Sequence, residues 1–269
     1  MKIDLEAIEE TAKLLYIRAL KVLPDDIKEG FKRLDAGETD ATGKSILATM
    51  IKNIDVAEET DNLLCQDTGI PIYNITIGRG VEVDGIDLKA AIRKGCERAT
   101  TEYPLRSSIV HPMTRENEHT SCGHRVPVIT VDFSDQPDEL VIEMIPKGSG
   151  SENGSFLKMC IPAEGVGGIM TFVVDKVMEA GGKVCPPTIV GVGVGGTADL
   201  CTKLAKIAAI RPLGSVCGDP EGAKLELELT DAVNSLGIGP QGLGGDSTSF
   251  AVHVETAATH ITMNPGAVN

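Results

Sequence analysis

Cys65-Gln66-Asp67-Thr68-Gly69 packs a thiol, an amide, a carboxylate and a hydroxyl into four residues, then turns on glycine. Soft sulfur beside a carboxylate at a tight turn is what a metal-assisted reaction on a small acid requires. The plainer reading of the same residues is an ordinary turn with a buried free cysteine. Further on, Arg106 opens a loop that holds His111, His119, Cys122 and His124. Three histidines and a cysteine suggest a metal, but their spacing matches no helical i,i+4 or short-turn ligand pattern, so the loop reads as polar. Lys147-Gly148-Ser149-Gly150-Ser151-Glu152-Asn153-Gly154 follows a strand-like run. Its unblocked backbone N–H groups suit a carboxylate or phosphate; its composition equally suits a flexible connector. Cys185 precedes Pro186-Pro187, which stiffen the backbone on its C-terminal side. Gly191-x-Gly193-x-x-Gly196 matches the dinucleotide fingerprint in form, without a series of alternating strands and helices around it.

These residues need a scaffold. Leu5, Ile8, Ala12, Leu15 and Ala19 recur at helical spacing until Pro24, which predicts a helix over 4–23. A second is expected from Asp25 to Leu34 and a third from Ala41 to Glu59, so the segment over 1–60 is helical. Ile75-Thr76-Ile77 reads as a short strand, and Asp87 to Tyr103 as a helix. The runs over 126–131 and 140–145 read as neighbouring strands joined by Asp135-Gln136-Pro137-Asp138. Helices follow over 169–180, 198–210 and 221–236, strands over 188–194 and 250–254, and a glycine-rich loop over 237–245. Cys96 and Cys201 fall in predicted helices and are expected to be packing thiols. No repeat or linker divides the chain, so one domain over 1–269 is expected. Its class is α+β, an N-terminal helical segment followed by a mixed strand and helix region.

The chain has 269 residues, 42% hydrophobic and 24% charged, with 3% aromatic and no tryptophan. That is globular composition, with a core resting on aliphatic side chains. A formal net charge of −14 argues against nucleic acid as a partner, because phosphate binding needs a basic face. No apolar run approaches the ~20 residues of a membrane span. The N-terminus shows no basic stretch followed by an apolar one. Seven scattered cysteines are read as reduced thiols of a cytoplasmic protein.

Several separated segments resemble one family in order. They are CQDTG at 65–69, LRSSIV at 105–110, KGSGSEN at 147–153, CPPTIVGVGVGGTAD at 185–199, LGIGPQGLGGDS at 236–247 and THITMNPGAVN at 259–269. Together they resemble the α subunit of the class I, iron–sulfur-dependent fumarate hydratase and L(+)-tartrate dehydratase family. The resemblance implies a hydro-lyase with a [4Fe–4S] cluster held by three cysteines and one iron left for substrate. Cys65 and Cys185 match two of those ligands, and the third is expected just beyond Asn269. It further implies substrate contacts from Gln66, Arg106, Gly150 and His260 and a catalytic role for Asp67. A β subunit is expected to complete the active site on a small dicarboxylic acid, in a larger oligomer. The segment 117–127, NEHTSCGHRVP, departs from the family pattern. Hydration of fumarate to (S)-malate is the leading expectation, with dehydration of L(+)-tartrate to oxaloacetate as the alternative. A nucleotide-binding module built on Gly191–Gly196 is the competing reading from another class.

Overall fold

The structure is a computed structural model that describes residues 2–269. In chain order its elements are α1 (Leu5–Lys21), α2 (Asp25–Gly37), α3 (Ala41–Glu59), β1 (Ile70–Arg79), α4 (Gly85–Glu102), β2 (Val128–Pro137) and β3 (Leu140–Lys147). Then come α5 (Ser149–Asn153), β4 (Phe156–Cys160), α6 (Gly165–Ala180), β5 (Thr188–Gly195), α7 (Ala198–Ala209), α8 (Pro220–Asn234), β6 (Ser249–Ala257) and β7 (Asn264–Val268). The class is α+β, helices first, as the sequence leads one to expect. Among the described residues no helix is long and apolar enough to cross a membrane.

The elements form two compact units, interleaved in sequence. One holds the residues up to Leu23 with Ile54–Ser149; the other holds Pro24–Asn53 with Gly150–Asn269. Two of the crossings fall inside helices, at Asn53/Ile54 in α3 and Ser149/Gly150 in α5. The crossing at Asn53/Ile54 falls within a regular helical pattern, so the sequence shows no linker there, and the glycine/serine run around Ser149/Gly150 reads equally as a site loop.

In the first unit a three-stranded sheet runs in the order β2-β1-β3. β1 pairs in parallel with β2 and antiparallel with β3. This corrects the expected hairpin: 128–137 and 140–147 flank β1 instead of pairing with each other. It also lengthens the expected three-residue strand, because the flanking Ile72 and Tyr73 alternate into the same ladder. Tyr73 and Ile75 pack against Ile8, Ala12, Tyr16 and Leu20 of α1 and Leu88, Ile92, Cys96 and Ala99 of α4. Helix α1 starts at Asp4, whose carboxylate accepts the Glu6 N–H at 3.0 Å. Two buried phenols are satisfied inside this core. Tyr73 donates to the carbonyl of Ala12 at 2.9 Å, and Tyr16 donates to that of Thr68 at 3.1 Å.

In the second unit the sheet order is β4-β7-β5-β6. Its core joins Phe172, Val173 and Val177 of α6, Val190 and Val192 of β5, Leu225, Leu229 and Val233 of α8, and Val252 and Val254 of β6. Strand β6 lies at the edge, and side chains serve its open side. Val252 N–H donates to Thr230 Oγ1 at 3.0 Å, and Val254 N–H to Glu226 Oε1 at 2.8 Å. Arg33 donates to the carbonyl of Phe250 at 3.1 Å, and Arg211 to that of Val254 at 3.0 Å. Cys96 and Cys201 are fully buried, as packing thiols should be.

Candidate active site

The CQDTG loop lies between α3 and β1 in the first unit. Gly69 ends it at φ +66°, and a Cβ there would sit 2.7 Å from the backbone of Lys147 and Pro146. Only glycine meets both conditions. The loop is therefore pressed onto the end of β3, and Asp67 uses that closeness. Asp67 Oδ1 accepts the Gly69 N–H at 3.0 Å. Its Oδ2 accepts the Ser149 N–H at 2.9 Å and the Ser149 hydroxyl at 3.0 Å. Partial burial pushes this carboxyl up. The Ser149 and Gly69 N–H groups, the Ser149 hydroxyl and the charge of Arg106 together outweigh that, so it lies below the usual carboxylate range. The glycine/serine run that was read as an anion cradle thus takes up an anion supplied by the chain itself. The alternative reading of the same run as a flexible connector is corrected, because Ser149–Asn153 form the short helix α5.

Arg106 and Gln66 are exposed. Thr68, between Asp67 and Gly69, is fully buried. Its hydroxyl donates to the carbonyl of Arg106 and lies 3.2 Å from Ser108 Oγ. The loop beyond Arg106 is held by its own polar groups. Asn117 donates to the Ser107 carbonyl at 2.9 Å and accepts the Ser107 hydroxyl at 3.0 Å. His111 Nδ1 accepts the N–H groups of Met113 at 3.3 Å and Thr114 at 3.2 Å, so this imidazole organises a turn. Cys122 points instead into the core of the unit.

The second unit holds Gly150, Cys185 and His260. Cys185 is exposed and follows a 3₁₀ turn over Gly181–Val184, in left-handed backbone at φ +55°, ψ +58°. Its loop is clamped from one side: Gln241 N–H donates to the carbonyl of Pro186 at 2.7 Å. A Cβ on Gly242 would meet Gly182 Cα at 2.4 Å. At Gly150 a Cβ would sit 2.9 Å from the Lys183 carbonyl, so packing against this same turn accounts for glycine there. His260 is exposed; its Nδ1 accepts the Thr262 N–H at 3.2 Å, which places the ring proton on Nε2.

The sequence reading missed Glu38. It is only 3% exposed. Its oxygens accept the N–H groups of Asp40 at 3.0 Å, Asp246 at 2.9 Å and Ser247 at 3.0 Å. It thereby anchors the glycine-rich loop that carries Gln241. Burial pushes this carboxyl up; the bonds from Asp246, Ser247 and Asp40 more than offset that and hold it below its ordinary 4.5. A depressed carboxylate stabilises the fold above its unfolded pKa and loses that contribution as pH falls through the folded value. Glu38→Gln is therefore expected to cost about 2 kcal/mol at pH 7, since an amide meets these donors with an NH₂ group. The deficit against wild type should shrink in urea titrations run below pH 4.5. A deficit independent of pH would refute the assignment.

Gly191 and Gly193 of the glycine motif lie inside β5, beneath α7. A Cβ at Gly193 would stand 2.1 Å from the Cys201 carbonyl, and one at Gly191 2.0 Å from that of Ala205. These glycines admit a helix to the strand face. In a dinucleotide loop they would instead lie beyond the strand's end.

Iron–sulfur ligation needs accessible thiolates. Cys65 and Cys185 are exposed, and the other five cysteines are buried. The Asp67 N–H also points to Cys65 Sγ at 3.4 Å, a contact that orients the sulfur. Both residues fit the role. Among the described residues no three His, Cys, Asp or Glu side chains gather as a metal-binding group.

A family model described as Fumarate hydratase (Fumerase) matches residues 9–269. A putative L(+)-tartrate dehydratase subunit alpha from Methanocaldococcus jannaschii is 44% identical over 260 residues, 96% of this chain and 91% of that protein. L(+)-tartrate dehydratase subunit alpha from Escherichia coli K12 is 35% identical over 238 residues, covering 88% of this chain and 78% of its own length. The protein of the same name from Shigella sonnei matches to the same extent.

Proposed function

Because the chain belongs to the fumarate hydratase family and is a hydro-lyase, we propose that it is the α subunit of an iron–sulfur enzyme that interconverts fumarate and (S)-malate. The observation that carries this reading is local to the first unit. An exposed thiol, Cys65, and an exposed guanidinium, Arg106, leave two segments joined through the buried Thr68. Cys65 and Cys185 would hold the [4Fe–4S] cluster. When bound, such a cluster supplies an iron without a protein ligand, a Lewis acid for the carboxylate and hydroxyl of the substrate.

The chain's own groups supply binding and orientation. Arg106 pairs with a substrate carboxylate, a geometry the planar guanidinium matches with two parallel bonds. Gln66 offers an amide to the same acid. The Gly150 N–H lies in the first turn of α5, where the helix provides no acceptor, and can donate to a carboxylate oxygen. His260 presents its Nε2 proton in the same sense. Asp67 acts as a fixed negative charge that aligns the loop and balances Arg106. Its depressed pKa suits a group that stays ionised through neutral pH. A partner β subunit completes the acid–base and carboxylate-binding groups. Seven free thiols suit a reducing, cytoplasmic setting.

A second reading is dehydration of L(+)-tartrate to oxaloacetate, favoured by the names of the relatives. The two substrates differ by one hydroxyl, so profiling separates them. The chain, co-produced with its β subunit and reconstituted anaerobically with iron and sulfide, is expected to turn over (S)-malate faster than L(+)-tartrate. The reverse order selects the second reading. Turnover of neither acid would overturn both.

A further inference from the structure

We propose that Thr68 is a positioning residue for this reaction: its buried hydroxyl, bonded to the main chain of Arg106, fixes where that guanidinium stands relative to Cys65, Gln66 and Asp67. The inference rests on the reading of Arg106 as the carboxylate clamp. A carbonyl oxygen only accepts, so the single Thr68 proton goes to the Arg106 carbonyl. Toward Ser108 Oγ, at 3.2 Å, Thr68 must then accept, and Ser108 donates. The result is an oriented chain: Ser108 hydroxyl to Thr68 hydroxyl to Arg106 carbonyl.

Thr68 is itself held at both ends. Tyr16 donates to its carbonyl at 3.1 Å. Burial pushes the Tyr16 phenol up to about 12, so it remains a donor at any working pH. On the other flank Asp67 Oδ1 bridges across Thr68 to the Gly69 N–H at 3.0 Å. The Arg106 side chain is exposed, and its guanidinium makes no hydrogen bond or ion pair among the described residues. Its aim is therefore set by the backbone from which it leaves. Among the described residues Thr68 is the one side chain that bonds the Arg106 main chain. Valine has the shape of threonine without the hydroxyl. It would leave the Arg106 carbonyl and the Ser108 hydroxyl without this partner.

The test uses the complete, cluster-loaded enzyme with its β subunit, as Thr68→Val, Thr68→Ser and Arg106→Lys. Two readouts are taken: KM and kcat for (S)-malate and L(+)-tartrate, and amide hydrogen exchange of residues 105–109. Thr68→Val should raise KM about ten-fold, the scale of one buried hydrogen bond, with kcat within about two-fold of wild type. Exchange over 105–109 should quicken. Thr68→Ser keeps the hydroxyl and should restore both. Thr68→Val with KM unchanged, even if it melts lower, overturns the proposal, as does unchanged exchange over 105–109. Arg106→Lys with unchanged KM overturns the clamp reading instead. If wild type turns over neither acid, the functional reading falls while exchange still decides on Thr68. Should Thr68→Val fail to fold, Ser108→Ala removes the donor to Thr68 and should raise KM about three-fold. No change there counts against the proposal.

Discussion

Serine at Cys65 or at Cys185 is expected to abolish the iron–sulfur absorption of the anaerobically reconstituted complex and its turnover with it. Serine at Cys96 or Cys201 should leave the absorption in place. The contrast follows from where each sulfur lies. Cys96 sits in the core with Tyr73 and Ile92, and Cys201 packs with Ala205 and Ala267. Burial pushes the Cys201 thiol up to about 11, and it donates to the Gly193 carbonyl at 3.2 Å. Such a sulfur is a protonated packing group. Cys65 and Cys185 are exposed, on loops whose backbones are held. Cys65 receives an N–H from Asp67. An alcohol in place of these thiols is a hard, protonated oxygen, which iron–sulfur chemistry does not replace in kind. Full absorption in both variants would remove the assignment. The backbone at Cys185 gives a control. Its left-handed conformation costs a non-glycine residue roughly 1 kcal/mol, so Cys185→Gly should lose the cluster yet unfold no more easily than Cys185→Ser.

A large effect on folding is expected at Gly193. Alanine there places a methyl 2.1 Å from the Cys201 carbonyl and 2.8 Å from the Ala205 nitrogen, both backbone of α7. Neither atom can swing aside as a side-chain tip would; the helix must lift. Overpacking of this kind costs about 3 kcal/mol. In a chain of this size that lowers the melting temperature by roughly 6–12 °C. Gly167→Ala is the reference: nothing lies within 4 Å of its added Cβ, and it sits in α6, where alanine is the better helix former. Circular dichroism melts should show Gly193→Ala well below wild type and Gly167→Ala at or above it. Equal melts would mean that β5 and α7 are not packed this closely.

The sequence displayed these features unequally. The bounds of α3, Ala41–Glu59, are legible because apolar spacing and flanking polar residues agree locally. Strand β7 was invisible, since Asn264-Pro265-Gly266 reads as a chain breaker. The strand tolerates its proline because β5 pairs only with Gly266, Ala267 and Val268, and Pro265 faces β4 alone. The placement of β1 between β2 and β3 depends on long-range pairing that no local pattern encodes. The candidate site follows the same rule. Cys65, Asp67 and Arg106 stand out by chemical type within short motifs. Glu38 does not, because its partners Asp246 and Ser247 are 208 and 209 positions away. A carboxylate between Gly37 and Thr39, in the polar break between two helices, looks like any solvated one until the fold closes over it.

Interleaving of the two units also orders events during synthesis. The second unit's early segment, Pro24–Asn53, leaves the ribosome before the first unit's main body, Ile54–Ser149, has been made. At about 5–20 residues per second it waits roughly 5–20 s for Gly150 to be added. Through that interval Phe31 and Leu47, fully or nearly buried in the finished chain, have no home of their own. The first unit can close as soon as Ser149 emerges, while the second depends on β7, which comes after every other described element in chain order. A nascent chain stalled near residue 150 would thus hold one finished unit and one orphaned pair of helices, the sort of surface that chaperones bind.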